Sequence, residues 1–213
     1  MKIGLIFDMD GTLWDSSENV AASWTEKVKQ LGYNRSEITK EDIMGVMGLT
    51  MDRIADIIFG DLPKQERMEL LQKCGDYENE YLLEHGGVLY PELEKTLKLL
   101  SKKYSLYIVS NCQSGYIESF LEHYCFGKYF EDIECYGNNL KEQGDNIALL
   151  AKRNGLERAW YIGDIQGDYD ATMKAGLEFI HAAYGFGKIE QKTLKLRKFS
   201  ELPELIDCII KNE

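Results

Sequence analysis

The chain of 213 residues carries 36 Asp and Glu against 25 Lys and Arg, a formal charge of −11. That balance argues against a nucleic-acid or anionic-membrane partner, which needs a net basic footprint, and leaves a small charged molecule open. With 44% hydrophobic and 29% charged residues and only 3 prolines, the composition is that of a folded globule, either one large domain or one domain with an insertion.

The opening run Ile3–Phe7 is closed at once by Asp8. It is too short for a signal peptide and predicts a strand buried on both faces of a parallel sheet. No stretch approaches the ~20 apolar residues of a membrane span. Cys74, Cys112, Cys125, Cys135 and Cys208 are scattered and contain no C-x-x-C pair, which argues against a disulfide framework or a structural zinc site. A reduced, cytoplasmic protein is the expectation.

Asp15 with Glu18 reads as a capping box, and Val20, Trp24, Val28 and Leu31 follow at helical spacing until Gly32. Helical patterns then run over 39–48, 51–59 and 63–84, separated by Gly48, Gly60 and Pro63, and the block ends at His85-Gly86-Gly87. Beyond it, helix and strand alternate. The expected helices are 92–103 (with Pro91 at its start), 114–124, 145–154 (capped by Asp145), 169–175 and 202–210; the expected strands are 105–110, 133–136, 159–163 and 178–181. The pattern predicts an α/β fold with a parallel sheet, residues 1–14 and 87–213 forming the core and residues 15–86 an inserted helical cap.

In an open α/β sheet, ligands bind at the carboxyl ends of the strands. Those ends read Asp8-Met9-Asp10-Gly11-Thr12, Ser110-Asn111 and Asp164, with Asp168 and Asp170 following. Parallel pairing of these strands would bring Asp8, Asp10, Asp164 and Asp168 together. Such a cluster repels itself unless a cation sits in it, and oxygen-only ligands favour Mg²⁺, which is normally shared with a substrate phosphate. Gly11 allows backbone N–H groups to approach an anion and Thr12 adds a hydroxyl donor.

Asp8-Met9-Asp10-Gly11-Thr12-Leu13 resembles the D-x-D-G-T-[LV] motif of the haloacid dehalogenase-like superfamily of phosphotransfer enzymes. Ser110 resembles its second motif, Lys141 its third, and Gly163-Asp164-Ile165-Gln166-Gly167-Asp168 its G-D-x-x-x-D fourth. The resemblance spans essentially the whole chain, and it is to the helical-cap subgroup containing phosphoglycolate phosphatase and β-phosphoglucomutase.

The resemblance implies a Rossmann-like core and a Mg²⁺-dependent phosphatase acting on a small phosphorylated metabolite. Asp8 would be the nucleophile that becomes phosphorylated, and Asp10 the acid and then base. Mg²⁺ would be held by Asp8, the main-chain carbonyl of Asp10, and Asp164, with Asp168 ligating or orienting a water. Ser110, the backbone around Asn111, and Lys141 would hold phosphate oxygens. Lys141 departs from the family pattern, being followed by Glu142 rather than proline.

Three other readings stand beside this one. A phosphomutase of the β-phosphoglucomutase type would carry a histidine in the first cap helix, where this chain has Glu18, Asn19 and Val20. A dehalogenase would lack Asp10. A phospho-accepting regulatory protein would need neither Asp10 nor a cap. The substrate itself depends on cap side chains, with Arg35, Lys40, Arg53 and Lys64 the candidate cations.

Trp24 is expected in the cap core and Trp14, at the hinge, closer to substrate. Asp170 is read as a first-turn helix acid and Cys112 as a small buried hydrophobe. His85, His123 and His181 lack metal-site spacing, and Tyr184-Gly185-Phe186-Gly187 is read as a turn.

Overall fold

Near-continuous apolar runs such as Gly4–Phe7, Leu106–Val109 and Ala159–Ile162 are buried on both faces, as strands in the middle of a parallel sheet must be. The computed structural model describes residues 2–212. After β1 (Ile3–Phe7) the chain passes through β2 (Trp14–Asp15) into four helices, α1 (Ser17–Gln30), α2 (Lys40–Met44), α3 (Met51–Ile58) and α4 (Lys64–His85). It returns through β3 (Val88–Leu89), and because β2 and β3 pair antiparallel, the two passages run side by side.

The remainder alternates: α5 (Leu93–Leu100), β4 (Ser105–Ser110), α6 (Tyr116–His123), β5 (Phe130–Cys135), α7 (Tyr136–Asn139), α8 (Gln143–Arg153), β6 (Arg158–Gly163), α9 (Gln166–Ala175), β7 (Glu178–Ala182), β8 (Leu194–Leu196) and α10 (Leu202–Lys211). Six strands form one sheet in the order β5-β4-β1-β6-β7-β8, every neighbouring pair parallel. This is a Rossmann-like α/β core.

Register decides where the site forms. β1 lies between β4 and β6, with Phe7 opposite both Ile108 and Ile162. The residues just beyond them, Asp8, Ser110 and Asp164, therefore emerge at one edge of the sheet, where the strand order reverses. The ladder continues one step further, Asp8 donating its N–H to the Ile162 carbonyl at 2.9 Å.

Several helix starts differ from the sequence reading: α9 begins at Gln166 rather than 169 and α6 at Tyr116 rather than 114, and two other starts bear on the site. α1 begins at Ser17, and Asp15 accepts both the backbone N–H (3.0 Å) and the hydroxyl of Ser17 while its other oxygen holds Lys40 at 3.0 Å. α8 begins at Gln143, preceded by Glu142, rather than after an Asp145 cap. Lys174 of α9 binds Glu142 at 2.8 Å and Asp145 at 3.1 Å, so Asp145 is engaged across the helix pair instead of closing its own helix end. The ribbon β2–β3, the short α7 and the edge strand β8 are too brief to produce a periodic signal.

Candidate active site

Asp8, Asp164 and Asp168 are buried, and one carboxylate oxygen from each lies within 4.8 Å of the others. Burial and mutual repulsion push the Asp8 carboxyl well above the usual range. Asp164 is raised to about 8, by burial first and Asp168 second. Asp168 rises to about 6 by burial, while the N–H donors around it oppose the shift.

The fourth predicted acid is placed apart from these three. The Asp10 carboxylate accepts from Ser16 Oγ at 2.6 Å and from the Tyr116 hydroxyl at 2.8 and 3.0 Å. Burial raises it to about 6 against the pull of these bonds. Three acids thus form a cation-sized group, and Asp10 stands beside it with its own hydrogen-bond cradle.

The three acids differ in how fully they are engaged. Asp168 Oδ2 accepts the backbone N–H groups of Asp164 (2.9 Å) and Ile165 (3.1 Å), and its Oδ1 accepts from Gln143 at 2.8 Å. It therefore fixes the turn after β6 and sets the direction of Asp164. Asp164 Oδ2 accepts the Phe186 N–H at 2.6 Å, whereas its Oδ1 is buried without a hydrogen-bond partner. An orphaned carboxylate oxygen facing two further acids is the donor set of a hard divalent cation, which stabilises it as no neutral neighbour does. These residues fit Mg²⁺.

The loop after β7 encloses Asp164. A Cβ on Gly185 would lie 2.3 Å from the Gly11 carbonyl oxygen and 2.5 Å from Asp164 Cβ. Gly11 itself has φ 81°, and a Cβ there would meet Asp164 Oδ2 at 2.2 Å. Tyr184 donates its hydroxyl to the Thr12 carbonyl at 2.8 Å. The Tyr184–Gly187 segment is a turn, as expected, and it is also a wall of the site. Its contribution comes largely from a backbone N–H and missing side chains, which carry no residue signature.

Among the predicted phosphate-holding residues, Ser110 is buried at the end of β4, and the Thr12 hydroxyl is buried with no partner. The Asn111 side-chain amide donates to the Gly48 carbonyl at 2.9 Å, tying the sheet edge to the α2–α3 loop. Among the described residues, Lys141 forms no ion pair with the acids of the site. Leu140 turns through φ 58°, and Asn139 and Asn146 hold the backbone N–H and carbonyl of Lys141 at 2.9 and 3.2 Å, leaving its side chain exposed.

Gln143, two residues on, takes the buried position. Its amide donates to Asp168 at 2.8 Å and to the Tyr161 hydroxyl at 2.6 Å, and that hydroxyl donates in turn to the Val109 carbonyl at 2.7 Å. Starting the helix at 145 in the sequence reading hides it, since Gln143 faces the acids only as the first residue of α8.

Trp24 lies in the cap core as expected, buried and stacked on Phe59, whereas Trp14 is not the substrate contact expected at the hinge. Trp14 is fully buried, with Phe120 at 4.9 Å and Tyr116 and Tyr124 also against its ring, so it anchors the hinge. Trp24 lines a cleft between the helical insertion and the sheet edge that also contains Asp10 and Ser110. Its indole N–H donates to buried Glu78 at 2.5 Å. Glu78 is legible in retrospect: Leu70, Cys74, Glu78 and Leu82 recur every four residues on the buried face of α4.

Burial raises the Glu78 carboxyl to about 8 from an ordinary 4.5. Between those values the folded state holds a proton that the unfolded state has lost, so stability falls as pH rises through that window. Each unit of displacement corresponds to about 1.4 kcal/mol. Glu78→Gln is expected to raise Tm at pH 9 by about 5 °C or more and to change it little at pH 5. Thermal melts of both proteins across pH check this, and an equal shift at both pH values would contradict it.

Residues 5–182 match the model of the haloacid dehalogenase-like hydrolase family. The chain is 26% identical over 214 residues to phosphoglycolate phosphatase of Aquifex aeolicus, covering 95% of this chain and 96% of that protein. It is also 26% identical to phosphoglycolate phosphatase of Salmonella typhimurium, covering 86% and 82%. A solved haloacid dehalogenase-like hydrolase from Streptococcus pneumoniae superposes with a TM-score of 0.79 at 22% identity, covering 96% and 98%. With the matched residues running through the acid cluster and the sheet that positions it, the chain belongs to the haloacid dehalogenase-like hydrolase family, as a phosphatase.

Proposed function

We propose that this protein is a Mg²⁺-dependent phosphatase that hydrolyses a small phosphorylated metabolite through an aspartyl-phosphate on Asp8. The observation that carries this reading is the separation of the acids into a cation-sized trio and a separately cradled Asp10, since the two displacements need a nucleophile and a proton carrier held apart. Mg²⁺ would be held by Asp8 and Asp164, and when bound it neutralises phosphate charge.

Asp8 attacks phosphorus as the ester oxygen leaves, and Asp10 donates the proton that oxygen needs. Asp10, now ionised, takes a proton from the water that releases phosphate from Asp8. Ser16 and Tyr116 hold Asp10 in place for both transfers. Asp168 and Gln143 position Asp164, and Ser110 and the Thr12 hydroxyl supply donors for phosphate oxygens. Residues 15–86 serve as the cap that covers the site and excludes water.

The decisive experiment is hydrolysis of p-nitrophenyl phosphate with Mg²⁺, EDTA, and Mg²⁺ restored. Activity is expected to vanish with chelation and return with the metal. Steady turnover favours a phosphatase over a phospho-accepting regulator. Unchanged activity in EDTA would remove the metal from the reading, and stoichiometric labelling of the protein without turnover would replace the phosphatase by the regulator.

A further inference from the structure

Asp10 and Ser110 open onto a narrow cleft between the helical insertion and the sheet edge, with about 50 Å³ of free space. The cap side of the cleft is formed by Val20, Trp24, Ile43, Val46, Met47 and Leu49. Its polar groups beyond the phosphate end include Glu78 and Gln113, and among the described residues no Lys or Arg lines it.

The four candidate cap cations do not line it. Arg35 forms a salt bridge with Asp61 at 2.6 Å and Lys40 one with Asp15 at 3.0 Å. Arg53 borders a neighbouring groove that it shares with Asp52, Asp170 and Lys174, and Lys64 is exposed.

From this lining we propose, resting on the phosphatase reading above, that the substrate is the phosphate monoester of an uncharged, largely apolar alcohol, and that an anionic leaving group such as glycolate is disfavoured. An apolar organic part gains by leaving water for the Val20–Leu49 wall. A carboxylate there would be buried without a counter-charge. Ionised Glu78 would repel it, and neutral Glu78 offers one hydrogen bond in place of an ion pair. Burial raises the Glu78 carboxyl to about 8, which favours its uncharged form in the cleft.

The test compares kcat/KM for n-butyl and 2-phenylethyl phosphate with that for 2-phosphoglycolate. The two apolar alcohols are no better leaving groups than glycolate, so intrinsic reactivity does not favour them. The apolar esters are expected to lead by at least tenfold. Met47→Arg, which sets a cation at the half-buried rim, is expected to reduce that ratio by at least tenfold, with retained folding checked by circular dichroism.

Equal or better use of 2-phosphoglycolate by the native protein would overturn the substrate class while leaving the phosphatase reading intact. If neither these esters nor p-nitrophenyl phosphate turns over with Mg²⁺ present, the phosphatase reading fails and the substrate class with it.

Discussion

Replacing Asp8 with Asn is expected to abolish turnover and, in the same protein, to raise the thermal stability of the metal-free form. The loss follows from chemistry: an amide at position 8 cannot accept the phosphoryl group, and removal of a nucleophile from a covalent mechanism costs on the order of 10⁴-fold or more. The gain follows from electrostatics. Asp8 is buried against Asp164 and Asp168, and both burial and those neighbours push its carboxyl upward.

A group with a raised native pKa makes folding less favourable as pH climbs past its ordinary value of 3.8. An uncharged side chain of the same shape removes that dependence, so the stability difference should grow from pH 5 to pH 8. Mg²⁺ stabilises the native form by binding the folded state alone, and Asp8→Asn, with one fewer carboxylate ligand, should gain less from it. Steady-state assays with p-nitrophenyl phosphate and melts in EDTA and in Mg²⁺ provide both readouts. More than a hundredth of native activity in the variant would sink Asp8 as nucleophile. A fall in metal-free stability would show that the acid trio is held by interactions other than those described above.

Three residues of the sheet edge, Asp8, Ser110 and Asp164, were legible because each ends or directly follows an apolar strand. Asp8, Ser110 and Asp164 end runs such as Ile3–Phe7 and Arg158–Gly163, so the one-dimensional boundary between apolar and polar is also the three-dimensional mouth of the site. The helical insertion was legible for a similar reason, since its stripes persist over several turns; Val20, Trp24 and Val28 are buried on one face of α1.

What escaped depends on convergence between distant segments. Gln143 reaches Asp168 across 25 positions, and Phe186 binds Asp164 through a main-chain N–H that any residue except proline would supply. The placement of Lys141 rests on local backbone geometry, the left-handed Leu140 and the two asparagine side chains, and a motif match contains neither. Trp14 is of the same kind: its place in the sequence sets it at the hinge, and only its packing against Phe120, Tyr116 and Tyr124 shows an anchor rather than a substrate contact.

The second large effect is expected from Asp10→Asn, and its form distinguishes a proton carrier from a merely structural acid. Asn can still accept the hydroxyls of Ser16 and Tyr116 through its carbonyl oxygen, so the cradle seen around Asp10 is preserved. It can neither donate an acidic proton to a leaving oxygen nor take one from water. Loss of such a group costs about 10²–10⁴-fold in the step that needs it.

The two steps need it differently. p-Nitrophenolate leaves without a proton at neutral pH, so phosphorylation of Asp8 should remain fast while hydrolysis of the phosphorylated protein slows. The expected result is a burst of about one nitrophenolate per protein followed by slow turnover. An alkyl phosphate, whose alkoxide must be protonated to leave, should give neither burst nor turnover. Rapid-quench measurement with both esters separates the cases: native-like steady rates with the alkyl ester would show that Asp10 carries no proton. Equal slowing of both esters with no burst would place its role in holding the fold of the site. Tyr116→Phe leaves the carboxyl intact and removes one of its two holders, so it should slow both steps by a smaller, similar factor and leave the burst absent.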